Sequence, residues 1–328
     1  MNTLFIVGNG LDISVGLKTS YQDFFDYYFS VPSEDATIQA MKQDIHSRRY
    51  ETWADLEIGL GDYARNCDNK DHFQTCLINI KRELNEYLKI EREKLIHYEL
   101  LSLKPLLSLE SLLDPEPQSR FQQFASKLSS PNGIDFITFN YTPTLEHLLD
   151  YNGNNRPLSQ ISYLSSIVHI HGTLDEMMVM GVNDESQIAN ELLRNDMDIK
   201  EDFIKPEYND ACENNKNVIC ERLINRADII VIYGSSVGLS DEKWWKLIGR
   251  RMNEKSYPLL VYLPYDAYKN QSLAPNRIRR WTQEYVAVLK QRFGITIPDD
   301  VLYHRVCVAV NRTLVPVKKN PQKPSKTD

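Results

Sequence analysis

Five short apolar runs, each cut off by a glycine, a proline or a polar residue, constrain this chain more than any other feature. They are Leu4–Val7, Ile134–Phe139, Ile167–Ile170, Ile229–Tyr233 and Leu259–Leu263. Both faces of these runs are largely apolar, the pattern of strands covered on two sides, and helical patterns lie between several of them. Parallel strands joined by helical crossovers satisfy both observations. The expected fold class is therefore α/β and Rossmann-like, a mostly parallel sheet flanked by helices. Met177–Met180 and Val306–Val310 are further strand candidates.

One long stretch departs from this pattern. Between about residues 33 and 130 strand signals are few, and in the segment Phe73–Leu103 the residues Leu77, Ile80, Leu84, Tyr87 and Leu88 recur at helical spacing. This predicts a helical insertion (33–130) after the first βα unit, with residues 1–32 and 131–315 forming the nucleotide-binding core. Residues 183–217 are polar and predict loops and short helices over one edge. Residues 316–328, rich in Pro and Lys, predict a disordered tail.

Charge and cysteine content narrow the function classes. A formal charge of −7 works against a non-specific grip on nucleic acid. No apolar run approaches the roughly 18 residues of a membrane span. The five cysteines are odd in number and include no C-x-x-C pair, which predicts neither a disulfide framework nor a structural zinc site, and points to the reducing cytoplasm.

The residues suited to chemistry fall where strands end, the edge at which open parallel sheets bind ligands. The first run leads into Gly8-Asn9-Gly10-Leu11-Asp12, where two glycines allow a sharp turn and a helix start could offer N–H groups to phosphate. Asp12 suits a helix cap or a ribose hydroxyl. A tight turn with no ligand explains the glycines equally, and the third glycine of the dinucleotide fingerprint is displaced to Gly16. Asn140 follows the second run, as a ligand contact or as a cap for the next helix. His169 and His171 share a face, with His171 at the mouth beside Gly172, where a neutral imidazole can accept a proton. Gly234-Ser235-Ser236 forms a second small-residue loop, without the G-K-[ST] of a P-loop or the G-x-S-x-G of an esterase.

These residues resemble the AbiH family of phage abortive-infection proteins. The resemblance rests on Val7–Asp12 continuing through Gly16–Phe24, on Trp53–Glu57, Phe139–Thr142 and His169–Gly172, and on Tyr233–Ser236 with Asp241 and Trp244-Trp245. It implies a bacterial defence role. The order of motifs is more distantly similar to sirtuin-type NAD-binding domains. In those, the counterpart of Asn140 holds the ribose side of NAD and positions water, and that of His171 is the catalytic base. Gly8-Asn9-Gly10 replaces the sirtuin Gly-Ala-Gly, Thr142 stands where an acidic residue is usual, and the zinc-binding cysteine quartet is absent, which speaks against protein deacetylation.

The leading expectation is an effector that binds and hydrolyses NAD. Asn140 and His171 would be catalytic, with Gly8, Asn9, Gly10, Asp12, Gly234, Ser235 and Ser236 binding the nucleotide, and no metal. A non-catalytic sensor of NAD, ADP-ribose or a signalling nucleotide is the alternative. A third is a toxin acting on nucleic acid through Glu51, Asp55 and Glu57 of the insertion. The expected partner is a small nucleotide, with a homo-oligomer or a defence-system partner in addition.

Overall fold

Alternation within the apolar runs decides how the sheet is covered. The computed structural model describes residues 1–100, 108–128, 133–150, 164–256, 258–264, 274–310, 312, 314 and 316–319. Six strands pair in parallel: β1 (Asn2–Val7), β3 (Gly133–Thr138), β4 (Leu164–His169), β5 (Ile229–Tyr233), β6 (Leu259–Leu263) and β7 (Val306–Val308). Their order across the sheet is β4-β3-β1-β5-β6-β7. Phe5, Val7, Phe136, Val231, Tyr233 and Val261 point into one apolar layer, and Leu4, Ile6, Ile137, Ile230, Ile232 and Leu260 into the other. Both faces are dry, so the runs read as continuous rather than alternating. Each such side chain contributes about 1.5–3 kcal/mol by leaving water.

The order runs outward from β1 in one direction through β3 to β4 and in the other through β5 and β6 to β7. This is the Rossmann-like doubly wound arrangement expected from sequence, and the direction reverses between β1 and β5. There the loops leaving adjacent strands diverge to opposite faces and open a crevice. Asp135, buried at the start of β3, accepts from Arg226 Nη2 at 2.6 Å and Ser166 Oγ at 2.7 Å, which offsets its burial.

A helical layer stands over the crevice. Helices Tyr21–Ser30, Ala36–Arg48, Leu56–Tyr63 and Lys70–Arg92 pack around Phe24, Phe25, Tyr28, Trp53 and Phe73. Polar side chains start each of them. Ser20 accepts from Asp23 N, Asp35 from Thr37 N and Ile38 N, Asp55 from Glu57 N and Ile58 N, and Asn69 from His72 N. Helices Met197–Phe203 and Lys205–Ala211 join this layer through Ile199, Phe203 and Ile204.

The packing divides the chain elsewhere than at residues 32 and 130. Phe24, Phe25 and Tyr28 belong to the helical cluster, whereas helix Pro115–Ala125 packs through Phe121 against the sheet. The long helix stops at Arg92 and passes through a 3-10 turn, Glu93–His97, into the short strand β2 (Tyr98–Leu100). The expected disordered tail begins with a strand instead: β8 (Val317–Lys319) pairs antiparallel with β2. Met177–Met180 is not a strand. Its Met178, Val179 and Met180 are buried, but Val179 N donates to His171 O at 2.8 Å and Met178 and Met180 pack in the helical layer, with no ladder pairing the segment among the described residues. Among the described residues no helix is long and apolar enough to cross a membrane.

Candidate functional site

The crevice at the β1/β5 switch point is a cavity of about 610 Å³, a volume suited to a nucleotide-sized ligand. All nine residues singled out from sequence line it: Gly8, Asn9, Gly10, Asp12, Asn140, His171, Gly234, Ser235 and Ser236. The helical layer supplies the opposite wall with Tyr21, Asp55, Glu57 and Lys205, and Tyr262, Pro264 and Tyr285 close one end.

The glycine turns serve each other before they serve any ligand. Gly10 N donates to Gly234 O at 2.7 Å and Gly8 N to Tyr233 O at 2.9 Å. A Cβ on Gly8 would come within 2.8 Å of Gly234 O, and one on Gly234, whose φ is +64°, within 2.7 Å of Gly10 Cα. The amides of Gly8 and Gly10 are thus committed to the fold, and the helix that follows spans only Gly10–Ser14. Among the described residues, the backbone N–H groups of Asn9, Ser235 and Ser236 have no intramolecular acceptor. A phosphate at this floor meets those donors rather than a glycine-loop cradle. The Asn9 side chain is occupied with Thr19, donating to its carbonyl at 2.9 Å and accepting from its hydroxyl at 2.6 Å.

Asp12 caps no helix. It lies inside Gly10–Ser14, buried, and accepts from Thr142 Oγ1 at 2.7 Å and Asn140 Nδ2 at 3.3 Å. Burial raises its pKa to about 6 despite the hydrogen bonds from Thr144, Thr142 and Asn140. Asn140 is no cap either. Its amide is oriented by Asp12, its carbonyl is 2.8 Å from His169 Nδ1, and its Oδ1 has no intramolecular partner among the described residues. His169 also meets Glu146 Oε1 through Nε2 at 2.6 Å. Burial alone would lower the His169 pKa, but the Glu146 carboxylate and the Asn140 carbonyl raise it.

His171 ends the strand-to-loop turn after β4 and is 4% exposed. Its Nε2 is 2.8 Å from Asp241 Oδ1. Burial would raise the Asp241 pKa, but the Lys205 and His171 beside it hold it well below the usual carboxylate range. An ionised Asp241 accepts, so His171 Nε2 carries the proton and Nδ1 presents a lone pair. That Nδ1 is buried without a hydrogen-bond partner among the described residues. Burial, then the Lys205 charge, lowers the His171 pKa against the pull of Asp241, so the ring is neutral at pH 7. The arrangement is an oriented imidazole base.

Lys205 is the residue sequence reasoning missed. Its ammonium lies 2.7 Å from Glu57 Oε2 and 2.9 Å from Asp241 Oδ1, joining the helical wall to the sheet wall. Burial would depress its pKa, but the two carboxylates raise it. Two buried carboxylates share this one cation. Burial, reinforced by nearby Asp241 and Asp55, raises Glu57 to about 7 although Lys205 opposes it. Glu57 Oε1 also accepts from Gly181 N at 3.1 Å. The only local clue to Lys205 is a lysine at the first position of a helix, Lys205-Pro206, where the helix dipole disfavours a cation. Asp55 and Glu57, two apart and expected to diverge on a helix, both line the cavity because Asp55 is the residue before helix Leu56–Tyr63. Trp245 does not border the cavity. It stacks on Phe293 at 5.7 Å and donates to Gly238 O at 2.9 Å, anchoring helix Glu242–Glu254.

The family model for bacteriophage abortive infection AbiH matches residues 4–263, from β1 to the last residue of β6. The match includes Asp12, Glu57, Asn140, His171, Lys205 and Asp241. The search of curated proteins finds no match. With a switch-point crevice of this make-up and a family model covering most of its length, the chain belongs to the AbiH family of bacteriophage abortive-infection proteins.

Proposed function

We propose that the switch-point cavity binds NAD and hydrolyses its nicotinamide–ribose bond. The observation that carries this reading is the His171–Asp241 pair: His171, whose Nδ1 is buried and unpartnered, lines the same cavity as Asn140. The backbone donors of Asn9, Ser235 and Ser236 suit the diphosphate, and Asn140 Oδ1 suits a water or a ribose hydroxyl. As the C–N glycosidic bond breaks, its electron pair neutralises the nicotinamide ring and positive charge builds on the ribose. Water oxygen bonds to the anomeric carbon, and its proton passes to His171 Nδ1. The products are nicotinamide, ADP-ribose and a proton.

The test measures NAD and its breakdown products in phage-infected cells carrying wild-type, Asn140→Ala or His171→Ala protein at matched expression. Loss of NAD in the wild type alone, with at least ~100-fold slower cleavage in His171→Ala, is the expected result. Full NAD cleavage by both variants defeats the mechanism. Effective defence with unchanged NAD favours the non-catalytic sensor.

A further inference from the structure

Away from the cavity, the start of helix Lys70–Arg92 gathers two thiols and an imidazole. Cys67 follows the 3-10 turn Ala64–Asn66, His72 lies in the first turn of the helix, and Cys76 is one turn further along the same face. One ligand atom from each of the three lies within 4.8 Å of the other two. Both thiols are buried and free of disulfides. His72 Nε2 is buried with no hydrogen-bond partner among the described residues, a desolvation penalty left uncompensated if nothing fills the gap. The other ring nitrogen, Nδ1, is 3.9 Å from Asp68 Oδ2, and a small side-chain rotation would give it the carboxylate hydrogen bond that orients a metal-bound histidine.

The backbone around the three residues is pinned. Asn69 Oδ1 accepts from His72 N at 2.9 Å, and Asn190 Nδ2 donates to Cys67 O at 3.0 Å. We propose that Cys67, His72 and Cys76 bind a zinc-class divalent cation. Two thiolates and one imidazole favour a soft, tetrahedral ion. Two thiolates also neutralise its charge, so a buried site carries no net charge. Bond lengths of about 2.0–2.3 Å bring the donors to roughly 3.5–4 Å from one another. Side-chain rotation covers the remaining ångström. Water takes the fourth position. On binding, each thiol releases its proton.

The ion would staple the end of helix Leu56–Tyr63 to the start of Lys70–Arg92. Both helices carry cavity residues, Glu57 on one and Leu84 and Leu88 on the other. The sequence argued against zinc because the cysteines do not form a C-x-x-C pair. The helical turn, not the sequence spacing, brings His72 and Cys76 together.

The test uses the full chain, purified without chelator from cells supplied with zinc, and assays metal by mass spectrometry. A chelator-stripped sample is then reconstituted with Zn²⁺ or Co²⁺. We expect one ion per chain, a thiolate-to-cobalt charge-transfer band, and at least about tenfold lower metal occupancy in Cys67→Ser and Cys76→Ser. Cys212→Ser, at an exposed thiol, keeps the metal. Should the cysteine variants not fold, wild-type protein alone decides: chelator lowers its Tm and Zn²⁺ restores it. A wild type that takes up no Zn²⁺, a Cys67–Cys76 disulfide in protein purified under reducing conditions, or unchanged metal content in both variants overturns the proposal.

Discussion

The two walls of the cavity are built on different principles. The sheet wall is made of backbone: Gly8, Gly10 and Gly234 touch so closely that no side chain fits between them, and Asn140 and His171 project from strand ends. The helical wall is made of charge: Asp55, Glu57 and Lys205 sit on short helices around an apolar cluster. Asp241, from the loop after β5, meets both His171 and Lys205. In the proposed reading the sheet wall would fix where the nucleotide lies, and the helical wall would set the potential it meets; Asp241 sets the tautomer of His171.

Variants in each wall separate these roles. Lys205→Met removes the shared cation and leaves Glu57 and Asp241 buried together, and should cost about 3–5 kcal/mol in denaturant unfolding. Adding Glu57→Gln and Asp241→Asn should recover most of it. A loss below about 1 kcal/mol in the single variant would mean that the helical wall is not held by charge.

Acidity offers the next test. Glu57 is raised from 4.5 to about 7, so its contribution to stability is fully present below pH 4.5 and is lost as pH rises through 7. That loss is on the order of 3 kcal/mol, at about 1.4 kcal/mol per pKa unit. Glu57→Gln lacks it, so the variant's stability relative to wild type should improve between pH 4.5 and 7 and level off above. The depressed His171 acts in the opposite sense below its usual value of 6.5, but is present in both proteins and cancels in the difference. A pH-independent difference would remove Glu57 from this account.

In the sheet wall, Gly234→Ala adds a methyl group against Gly10 in a left-handed backbone conformation, and should cost about 1–3 kcal/mol while distorting the ligand floor. Ligand affinity should fall more than stability does. The opposite ranking would mean that the turn contact holds the fold alone. The smallest effect belongs to Arg92→Ala, which removes the surface pair to Asp175, 2.7 Å long and away from the cavity lining, and should change Tm by no more than about 1 kcal/mol of stability allows.

The same contrast explains what could be read from the chain itself. The strands announce themselves locally, because burial on two faces demands an apolar run wherever a strand occurs. Met177–Met180 satisfies that demand in the helical layer and so imitates a strand. Gly8 and Gly234 are legible as turns, but not that Gly10 spends its amide on Gly234. Lys205 stands out locally only as a lysine at a helix start, and its meaning comes from a carboxylate 148 residues away. Cys67, His72 and Cys76 come together only once the helix is wound.

The central place of β1 also sets a timetable. It lies between β3 and β5, and Asn2 N donates to Asp228, a partner 226 residues further along the chain. At the usual pace of a ribosome, that partner emerges on the order of tens of seconds later. Until then the first strand lacks one of its neighbours, and Asp241, which bridges Lys205 and His171, has not yet been made. A half-made chain therefore carries no assembled crevice, which is complete only when synthesis has passed β5 and its loop.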